Sequence, residues 1–279
     1  MLVSSTSGVE LATHDLGGTG TTLLISHATG FHGRCYWPIA TLLADTFHSM
    51  AFDYRGHGDT ARPEGGIDWQ RYGDDAFAMA TRLTQTIGEP IVAFGHSMGG
   101  ASLLMAAHRD PTLFRRIIAF EPIVFPPPNV AADDNPESML VAAARRRRTT
   151  FPSYEEAIAH YSSKPPLNAF TADALAAYVR HGFISDPDGT IHLKCLPATE
   201  ADTFAGGGLH GTWDRLPEIA TEVLVVGGRP EGIGPATIAG RIAERLPNGR
   251  YLRRDDLDHF GPMTHPAECA EIIRAEMKR

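Results

Sequence analysis

The chain has 279 residues, of which 43% are hydrophobic and 21% are charged, and its formal net charge is −8. These proportions are typical of a globular protein with one sizeable core, and the negative charge argues against nucleic acid or an anionic membrane as the main partner. Cys35, Cys195 and Cys269 lie far apart in sequence, which argues against a disulfide framework and a cysteine metal site. Because the sequence has no signal-peptide pattern and no apolar run long enough to cross a bilayer, we expect a cytoplasmic protein.

The first elements are expected to be short strands. Residues 9–15 alternate weakly between apolar and polar side chains and run into a glycine-rich stretch at residues 17–20, which predicts an early hairpin. Residues 22–26, Thr-Leu-Leu-Ile-Ser, form an apolar run bounded by turn residues, which is typical of a buried strand. This strand leads directly into a loop with the sequence His-Ala-Thr-Gly at residues 27–30.

Two helices and a strand are predicted next. Residues 36–45 have a helical pattern and residues 48–53 a strand pattern, and a charged loop follows at residues 53–59. Residues 69–87 form a longer helical pattern, which Gly-Glu-Pro ends at residues 88–90. Its apolar residues recur at helical spacing and predict a stripe that faces the core; they are Ala76, Ala80, Leu83 and Ile87.

The most informative stretch is residues 91–107, in which a glycine-flanked serine follows four apolar residues and precedes an apolar run rich in helix formers. This order predicts a strand, a sharp turn and a helix. Gly95, Ser97 and Gly99 fit the pattern Gly-x-Ser-x-Gly, which is typical of a nucleophile elbow that exposes the serine oxygen above a sheet. By itself the pattern also fits a glycine-rich turn without a function, or a phosphate site at a helix N-terminus.

The middle of the chain differs from its two ends. Residues 115–120 predict another buried strand, which ends in Glu121 and Pro122, and three prolines at residues 126–128 open a segment that extends to residue 216. We expect a helical lid over the mouth of an active site, because the segment has helical patterns without a strong strand signal between strands of a parallel sheet. The helical patterns cover residues 138–148, 154–161 and 172–181.

The aromatic residues of this segment could line a substrate pocket, although core packing is expected for most of them. They are Phe125, Phe151, Tyr154, Phe170, Tyr178, Phe183 and Trp213. The sheet pattern returns after the segment. It continues with a strand at residues 222–226, a loop at 227–235, a helix at 236–246, a strand at 250–253, a loop at 255–262 and a final helix at 266–278.

Three segments together resemble the α/β-hydrolase fold. They are Gly-His-Ser-Met-Gly-Gly at residues 95–100, Phe-Asp-Tyr-Arg-Gly-His-Gly-Asp at residues 52–59 and Asp-His-Phe-Gly-Pro at residues 258–262. The resemblance implies an α/β fold with a mostly parallel central sheet, flanking helices and a helical lid inserted after the sixth strand. Residues 1–122 and 217–279 would form the hydrolase core, and residues 123–216 the lid.

In proteins of this fold the loop that corresponds to residues 53–59 is mainly architectural. The resemblance therefore implies that its charged and histidine side chains form a hydrogen-bonded brace rather than take part in chemistry. These residues are Asp53, Arg55, His57 and Asp59.

The resemblance also assigns a nucleophile, a base and an oxyanion site. A serine hydroxyl needs a base within hydrogen-bonding distance, and histidine suits this task because its ordinary pKa lies near neutral pH. Among 13 histidines, His259 lies between the last strand and the last helix, where this fold carries its base for a serine such as Ser97. The backbone N–H groups of Thr29 and Met98 would hold the oxyanion, although Ala28 departs from the usual His-Gly start of that loop.

The acid that orients His259 has two candidates. Most proteins of this fold carry it after the strand predicted at residues 222–226, where Glu231 is the only carboxylate in the following loop. The rival is Glu121, and class II haloalkane dehalogenases and zearalenone-type lactonases resemble the chain in placing a glutamate there. A carboxylate directly after a buried strand is costly unless it accepts hydrogen bonds, for example from an imidazole. We therefore favour Glu121 over Glu231.

These assignments predict a serine hydrolase that cleaves a carboxylic ester or lactone of a small, moderately apolar molecule through an acyl-enzyme. No metal and no organic cofactor are implied, and the expected partner is the small-molecule substrate rather than nucleic acid or a membrane. The oligomeric state stays open, with a homodimer as one option.

Fold alone does not exclude other functions for the same site. One alternative is a small-ligand receptor with slow or no turnover, and another is a cofactor-free lyase or peroxidase. Dehalogenation is disfavoured because that chemistry uses an aspartate at the position of Ser97.

Overall fold

The protein is described by a computed structural model that covers residues 2–127, 139–230 and 234–277. The strands of this part are, in chain order, β1 Leu2–Ser4, β2 Glu10–Gly18, β3 Thr21–Ser26, β4 Phe47–Phe52, β5 Ile91–His96, β6 Phe114–Phe120, β7 Thr150–Phe151, β8 Phe183–Ser185, β9 Ile191–Leu193, β10 Val223–Gly227 and β11 Gly249–Arg253. The helices are α1 Trp37–Leu43, α2 Trp69–Ile87, α3 Met98–Arg109, α4 Met139–Arg145, α5 Tyr154–Ser162, α6 Ala172–Gly182, α7 Pro197–Gly206, α8 Thr212–Arg215, α9 Pro235–Arg245, α10 Gly261–Thr264 and α11 Pro266–Glu276. Short 3-10 helices lie at Thr6–Gly8, Gly33–Tyr36, Pro111–Leu113, Leu167–Ala169 and Leu216–Glu218.

The central sheet has eight strands in the order β1-β2-β4-β3-β5-β6-β10-β11. The pairs β1–β2 and β2–β4 are antiparallel, and every other neighbouring pair is parallel. Parallel strands are covered by helices on both faces, which explains why the inner strands are apolar without alternation. The fold is therefore the mostly parallel α/β arrangement that the sequence predicted.

Successive side chains of the inner strands enter two different cores. In β5, Ile91 and Ala93 pack in the core that contains residues of α2, α3 and α9, whereas Val92 and Phe94 pack in the core that contains residues of α1, α11 and the lid helices. The alternation follows from the two-residue period of a strand. The lid helices α5 and α6 consequently pack on the same face of the sheet as α1 and α11.

The described part of the segment between β6 and β10 contains the three predicted helices, α4, α5 and α6, and two further helices and three strands that the sequence did not indicate. Strand β6 is the sixth in chain order, and helices α4 to α8 follow it before β10 begins. The sequence has no strong strand signal here, but β7, β8 and β9 form a small antiparallel sheet in the order β7-β9-β8. Each has only two or three residues, which is too short to give an alternation signal.

The predicted early hairpin was wrong. Strands β2 and β3 do not pair with each other across residues 17–20, because β4 lies between them, antiparallel to β2 and parallel to β3. The hairpin partner of β2 is β1, the three-residue strand before it. Glycine-rich turns reverse the chain, but they do not specify which strand becomes the neighbour.

None of the helices in the described ranges combines the length and apolar character that crossing a membrane would require.

Candidate active site

The turn between β5 and α3 holds Ser97 in a strained backbone conformation. Its φ and ψ angles are 57° and −115°, a region that side chains other than glycine rarely adopt. A Cβ atom at Gly95 would lie 2.7 Å from the Cα of Gly100, and one at Gly99 would overlap the carbonyl oxygen of Ser26. These two glycines are therefore required sterically, as the Gly-x-Ser-x-Gly pattern predicted.

Ser97 and His259 line the same cavity, which has a volume of about 520 Å³. Ser97 is only 5% exposed. It directly precedes α3, so the first N–H groups of that helix point toward the end of the sheet where Ser97 lies. His259 is carried by the loop between β11 and α10. The fold thus brings together two residues that are 162 positions apart in sequence.

Glu121 orients the imidazole of His259. The Nδ1 atom of His259 lies 2.7 Å from Oε2 of Glu121, and Oε1 of Glu121 accepts a hydrogen bond of 2.8 Å from the backbone N–H of Gly228. Glu121 is 1% exposed and has a φ angle of 44°. A buried carboxylate needs such partners because it has lost its water, so both of its oxygens are compensated.

Gly228 directly follows β10, at the place where most proteins of this fold carry the acid. A Cβ atom at this residue would lie 2.6 Å from the carbonyl oxygen of Leu257 and 2.7 Å from Oε1 of Glu121. The residue at that place is therefore a glycine whose N–H donates to Glu121, which follows the neighbouring strand β6. The competing candidate, Glu231, lies outside the described residues.

A chain of hydrogen bonds joins the loop after β3 to the backbone of His259. The N–H of Ala28 donates to Oη of Tyr36 at 3.1 Å, and Tyr36 Oη lies 2.8 Å from Nδ1 of His96. Because Tyr36 accepts from Ala28, its own hydroxyl proton is available to His96, and Nε2–H of His96 then donates to the carbonyl oxygen of His259 at 2.8 Å. Burial and the neighbouring His259 hold the pKa of His96 well below its ordinary value, so this tautomer stays neutral. Sequence reasoning missed both Tyr36 and His96.

Of the two residues predicted to hold the oxyanion, one lines the cavity and the other directly follows Ser97. Thr29 lines the cavity, and Met98 is the first residue of α3, directly after Ser97. The first N–H groups of a helix have no acceptor within the helix, which suits them to bind a developing negative charge. Ala28, Thr29 and Gly30 all line the cavity, but the N–H of Ala28 already donates to Tyr36.

The lid supplies both apolar and charged groups to the cavity. Of the aromatic residues noted in the sequence, Phe125 and Tyr178 line it, whereas Phe151 and Phe183 pack inside the lid, as expected for most of them. Residues that the sequence did not indicate also line the cavity; they include Arg147, Tyr161, Glu200 and Phe260. Arg147 and Tyr161 lie in segments that the sequence predicted as helical, whereas Glu200 lies in α7, which the sequence did not indicate. An amphipathic pattern also gives no sign that a charged side chain turns inward.

The charged loop at residues 53–59 is a brace, as predicted. Asp53 accepts from the backbone N–H groups of Gly33 and Asp59 and contacts Nε2 of His14 at 2.9 Å. Burial alone would raise the pKa of Asp53, but the hydrogen bond and charge of His14 lower it strongly. Arg55 is bound by the buried carboxylate of Asp75. These bonds tie β2, β4 and α2 together behind the cavity wall.

Comparison with known proteins gives one family and several relatives. A family model described as the alpha/beta hydrolase family matches residues 23–272. The 2-(acetamidomethylene)succinate hydrolase of Mesorhizobium japonicum is 32% identical over 104 residues, a match that covers 37% of this chain and 36% of that one. The match thus spans little more than a third of that relative.

Two solved structures resemble the whole chain. A crystal structure of E-2-(acetamidomethylene)succinate hydrolase has a TM-score of 0.79 at 21% identity and covers 100% of this chain and 99% of its own. The enol-lactonase of Burkholderia xenovorans LB400 has a TM-score of 0.68 at 18% identity and covers 100% of both chains. These structures share the fold, and the family match extends from β3 to α11. The chain therefore belongs to the alpha/beta hydrolase family.

Proposed function

We propose that this hydrolase cleaves a carboxylic ester or lactone of a small molecule through an acyl-enzyme on Ser97. The observation that carries the proposal is the hydrogen-bonded pair of Glu121 and His259, which faces the cavity that Ser97 also lines. Two of these three residues have a positive φ angle, and such strain is retained where the surrounding structure enforces a functional geometry.

In the proposed reaction, Oγ of Ser97 attacks the carbonyl carbon while Nε2 of His259 takes the hydroxyl proton. The N–H groups of Thr29 and Met98 stabilise the negative charge that develops on the carbonyl oxygen. Collapse of this intermediate breaks the bond to the leaving alkoxide, which receives the proton from His259. A water molecule then attacks the acyl-enzyme in the same way and releases the acid and Ser97.

Glu121 acts on the histidine rather than on the substrate. By accepting a hydrogen bond from Nδ1–H, it leaves Nε2 of His259 unprotonated and able to act as a base, and it stabilises the imidazolium that forms. Segment 123–216 acts as the lid, because its residues contribute much of the cavity wall. A cavity of about 520 Å³ with many apolar lining groups suits a small substrate.

Cleavage of an amide bond is the second candidate. The relative with 32% identity and the structure with a TM-score of 0.79 both bear the name of a hydrolase for an acetamido-substituted succinate. The name of the enol-lactonase supports the ester class instead. The rates of hydrolysis of the ethyl ester and the amide of the same acid, measured at equal concentration, separate the two bond types.

The test replaces Ser97 with alanine and measures hydrolysis of 4-nitrophenyl butyrate. We expect turnover to fall to the background rate without a change in melting temperature. A fluorophosphonate probe should label the native protein at Ser97, as identified by peptide mass spectrometry, and should not label the variant.

Ser49→Ala is the matched control. Ser49 is a buried serine of β4, and its hydroxyl has no hydrogen-bond partner in the described part of the chain. We expect native activity and labelling for this variant. If Ser97→Ala keeps its activity, the proposed mechanism is wrong.

A further inference from the structure

Arg147 is a cationic side chain in the wall of the cavity. It lies between α4 and β7, its side chain is 17% exposed, and it lines the cavity together with Tyr161, Tyr178 and Glu200. These three partners come from α5, α6 and α7. A guanidinium placed in a largely apolar cavity is costly unless it is compensated, so its partners and its unused hydrogens indicate what it can bind.

Some N–H groups of the guanidinium have no partner in the described ranges. Nη1 donates to Oε2 of Glu200 at 2.7 Å, and Nη2 donates to the hydroxyls of Tyr161 (3.3 Å) and Tyr178. Within the described ranges these bonds use three of the five N–H groups that an arginine carries. Both phenols accept from Arg147, so each retains its own O–H as a donor.

The protonation states of Arg147 and Tyr178 favour an anion as the ligand that they bind. Burial opposes the charged form of Arg147, but Tyr178 and Glu200 raise its pKa well above the ordinary value. Burial also raises the pKa of Tyr178, so this phenol stays protonated and can donate. Lys164 lines the same cavity and is exposed, which adds a second cation, and Glu200 is the only carboxylate among the described lining residues.

Arg147 and Glu200 lie beside the loop that carries Thr29. A Cβ atom at Gly30 would lie 2.5 Å from Oε1 of Glu200 and 3.5 Å from Nη1 of Arg147. A small molecule whose carbonyl group is attacked by Ser97 can therefore extend to Arg147 within one cavity. Planar, charged donors of this kind match the two oxygens of a carboxylate.

We propose that Arg147, with Tyr161 and Tyr178, forms a subsite for a free carboxylate, so that the substrate is a monoester or monoamide of a dicarboxylic acid, or a lactone that carries a free carboxylate. This inference rests on the proposed function for its scissile bond. Glu200 holds the guanidinium in place and competes with the substrate carboxylate for it. The competing explanation is that Arg147 only links three helices of the lid.

The experiment compares monoethyl glutarate with ethyl pentanoate, which have acyl chains of equal length and differ in the carboxylate. Proton release gives kcat/KM for each ester. We expect the native protein to prefer monoethyl glutarate at least tenfold. Arg147→Met should lower kcat/KM for the monoester by about 10²-fold and for ethyl pentanoate by less than threefold, and Arg147→Lys should lie between.

Glu200→Gln separates recognition from a structural link. If Arg147 binds a carboxylate, removal of the competing charge keeps or increases kcat/KM for monoethyl glutarate relative to ethyl pentanoate. If Arg147 only links helices, Glu200→Gln and Arg147→Met impair both esters in parallel. Arg146→Met is the matched control, because Arg146 is exposed and lies outside the cavity lining, and we expect its ester preference to be native.

A binding measurement tests the subsite without turnover. Ser97→Ala is titrated with glutarate by calorimetry, and the double variant with Arg147→Met should bind at least tenfold more weakly. Equal binding by both, or no binding by either, overturns the subsite. Persistent ester hydrolysis by Ser97→Ala would instead contradict the proposed function and leave the glutarate result to decide on Arg147.

Discussion

The two walls of the cavity are built in different ways. On the sheet side, Ser97 and Glu121 follow neighbouring strands with φ angles of 57° and 44°, and Ser7 is the only other non-glycine residue with a positive φ in the described ranges. On the lid side, Arg147 gathers side chains from three helices. Backbone packing fixes the first of these, the sheet wall, whereas side-chain hydrogen bonds fix the second, the lid wall.

This difference suggests a division of labour. Close contacts around Gly99 and Gly228 leave the sheet wall almost no freedom, so a change there should alter the rate for every substrate. A change on the lid wall should alter the preference between substrates, because its side chains contact the part of the molecule that does not react. The predictions below compare these two outcomes.

The largest effect is expected from Glu121→Gln. A glutamine has nearly the same shape but can present an amide N–H to His259, which would favour the wrong tautomer of the imidazole. Loss of the corresponding charge in serine proteases costs about 10⁴-fold in kcat, and we expect a decrease of that order here for all esters, with little change in KM. Steady-state kinetics on 4-nitrophenyl butyrate provides the measurement.

Glu231→Gln is the control for this prediction, since Glu231 is the other acid that the sequence offers. We expect it to change kcat by less than twofold. A large loss of kcat in Glu231→Gln, together with a small loss in Glu121→Gln, would mean that Glu231 and not Glu121 orients His259.

A smaller effect is expected from Gly228→Ala. The added methyl group would press on the carbonyl oxygen of Leu257, two residues before His259, and on Oε1 of Glu121. Because a displacement of about 1 Å can cost about 10²-fold in rate, we expect kcat to fall by about that factor and the protein to lose stability. Kinetics and thermal unfolding measure the two effects.

Gly240→Ala controls for the general effect of adding a methyl group. Gly240 lies within α9, and a Cβ atom there would be 3.5 Å from the Tyr251 ring, an ordinary contact. Alanine is favoured over glycine within a helix by about 0.5–1 kcal/mol, so this variant should be slightly more stable and fully active. Equal activity of the two variants would show that the contacts around Gly228 do not control the site.

Much of the sheet wall could be predicted from the sequence because short-range patterns encode it. The Gly-x-Ser-x-Gly pattern gave the elbow, and the continuous apolar runs gave strands that are buried on both faces. The position of Glu121 directly after such a run also favoured this residue as the acid that orients His259, because a carboxylate there needs a hydrogen-bond partner. Strand neighbours were not accessible in the same way, as the β2 to β3 connection shows, since pairing depends on the whole sheet.

The lid wall could be predicted only as a set of helices. Arg147 belongs to a run of four arginines, and such a short basic run is typical of an exposed helix face. The structure instead turns Arg147 toward Glu200, 53 residues further along the chain. A contact of this kind is a property of tertiary packing, because neither side chain has a local pattern that distinguishes it from its exposed neighbours.

The last prediction concerns pH and the histidines behind the sheet wall. Nε2 of His27 accepts from the backbone N–H of Tyr54 at 2.9 Å, and its Nδ1 lies 2.8 Å from the carbonyl oxygen of Ala28. Burial lowers the pKa of His27 to about 3, and burial also lowers the pKa of His32 to about 4. The folded protein therefore binds fewer protons than the unfolded chain between about pH 6.5 and pH 4.

The free energy of unfolding should consequently fall as the pH drops below about 6.5, by up to about 1.4 kcal/mol per pH unit for each such histidine. Urea unfolding at pH 7.5, 6.5 and 5.5 measures this slope. His27→Asn should be less stable at pH 7.5 and should lose stability less steeply below pH 6.5, because one proton-linked group is gone. A slope that is the same in His27→Asn and the native protein would contradict the assignment, since protonation at Nε2 would then cost no hydrogen bond to Tyr54.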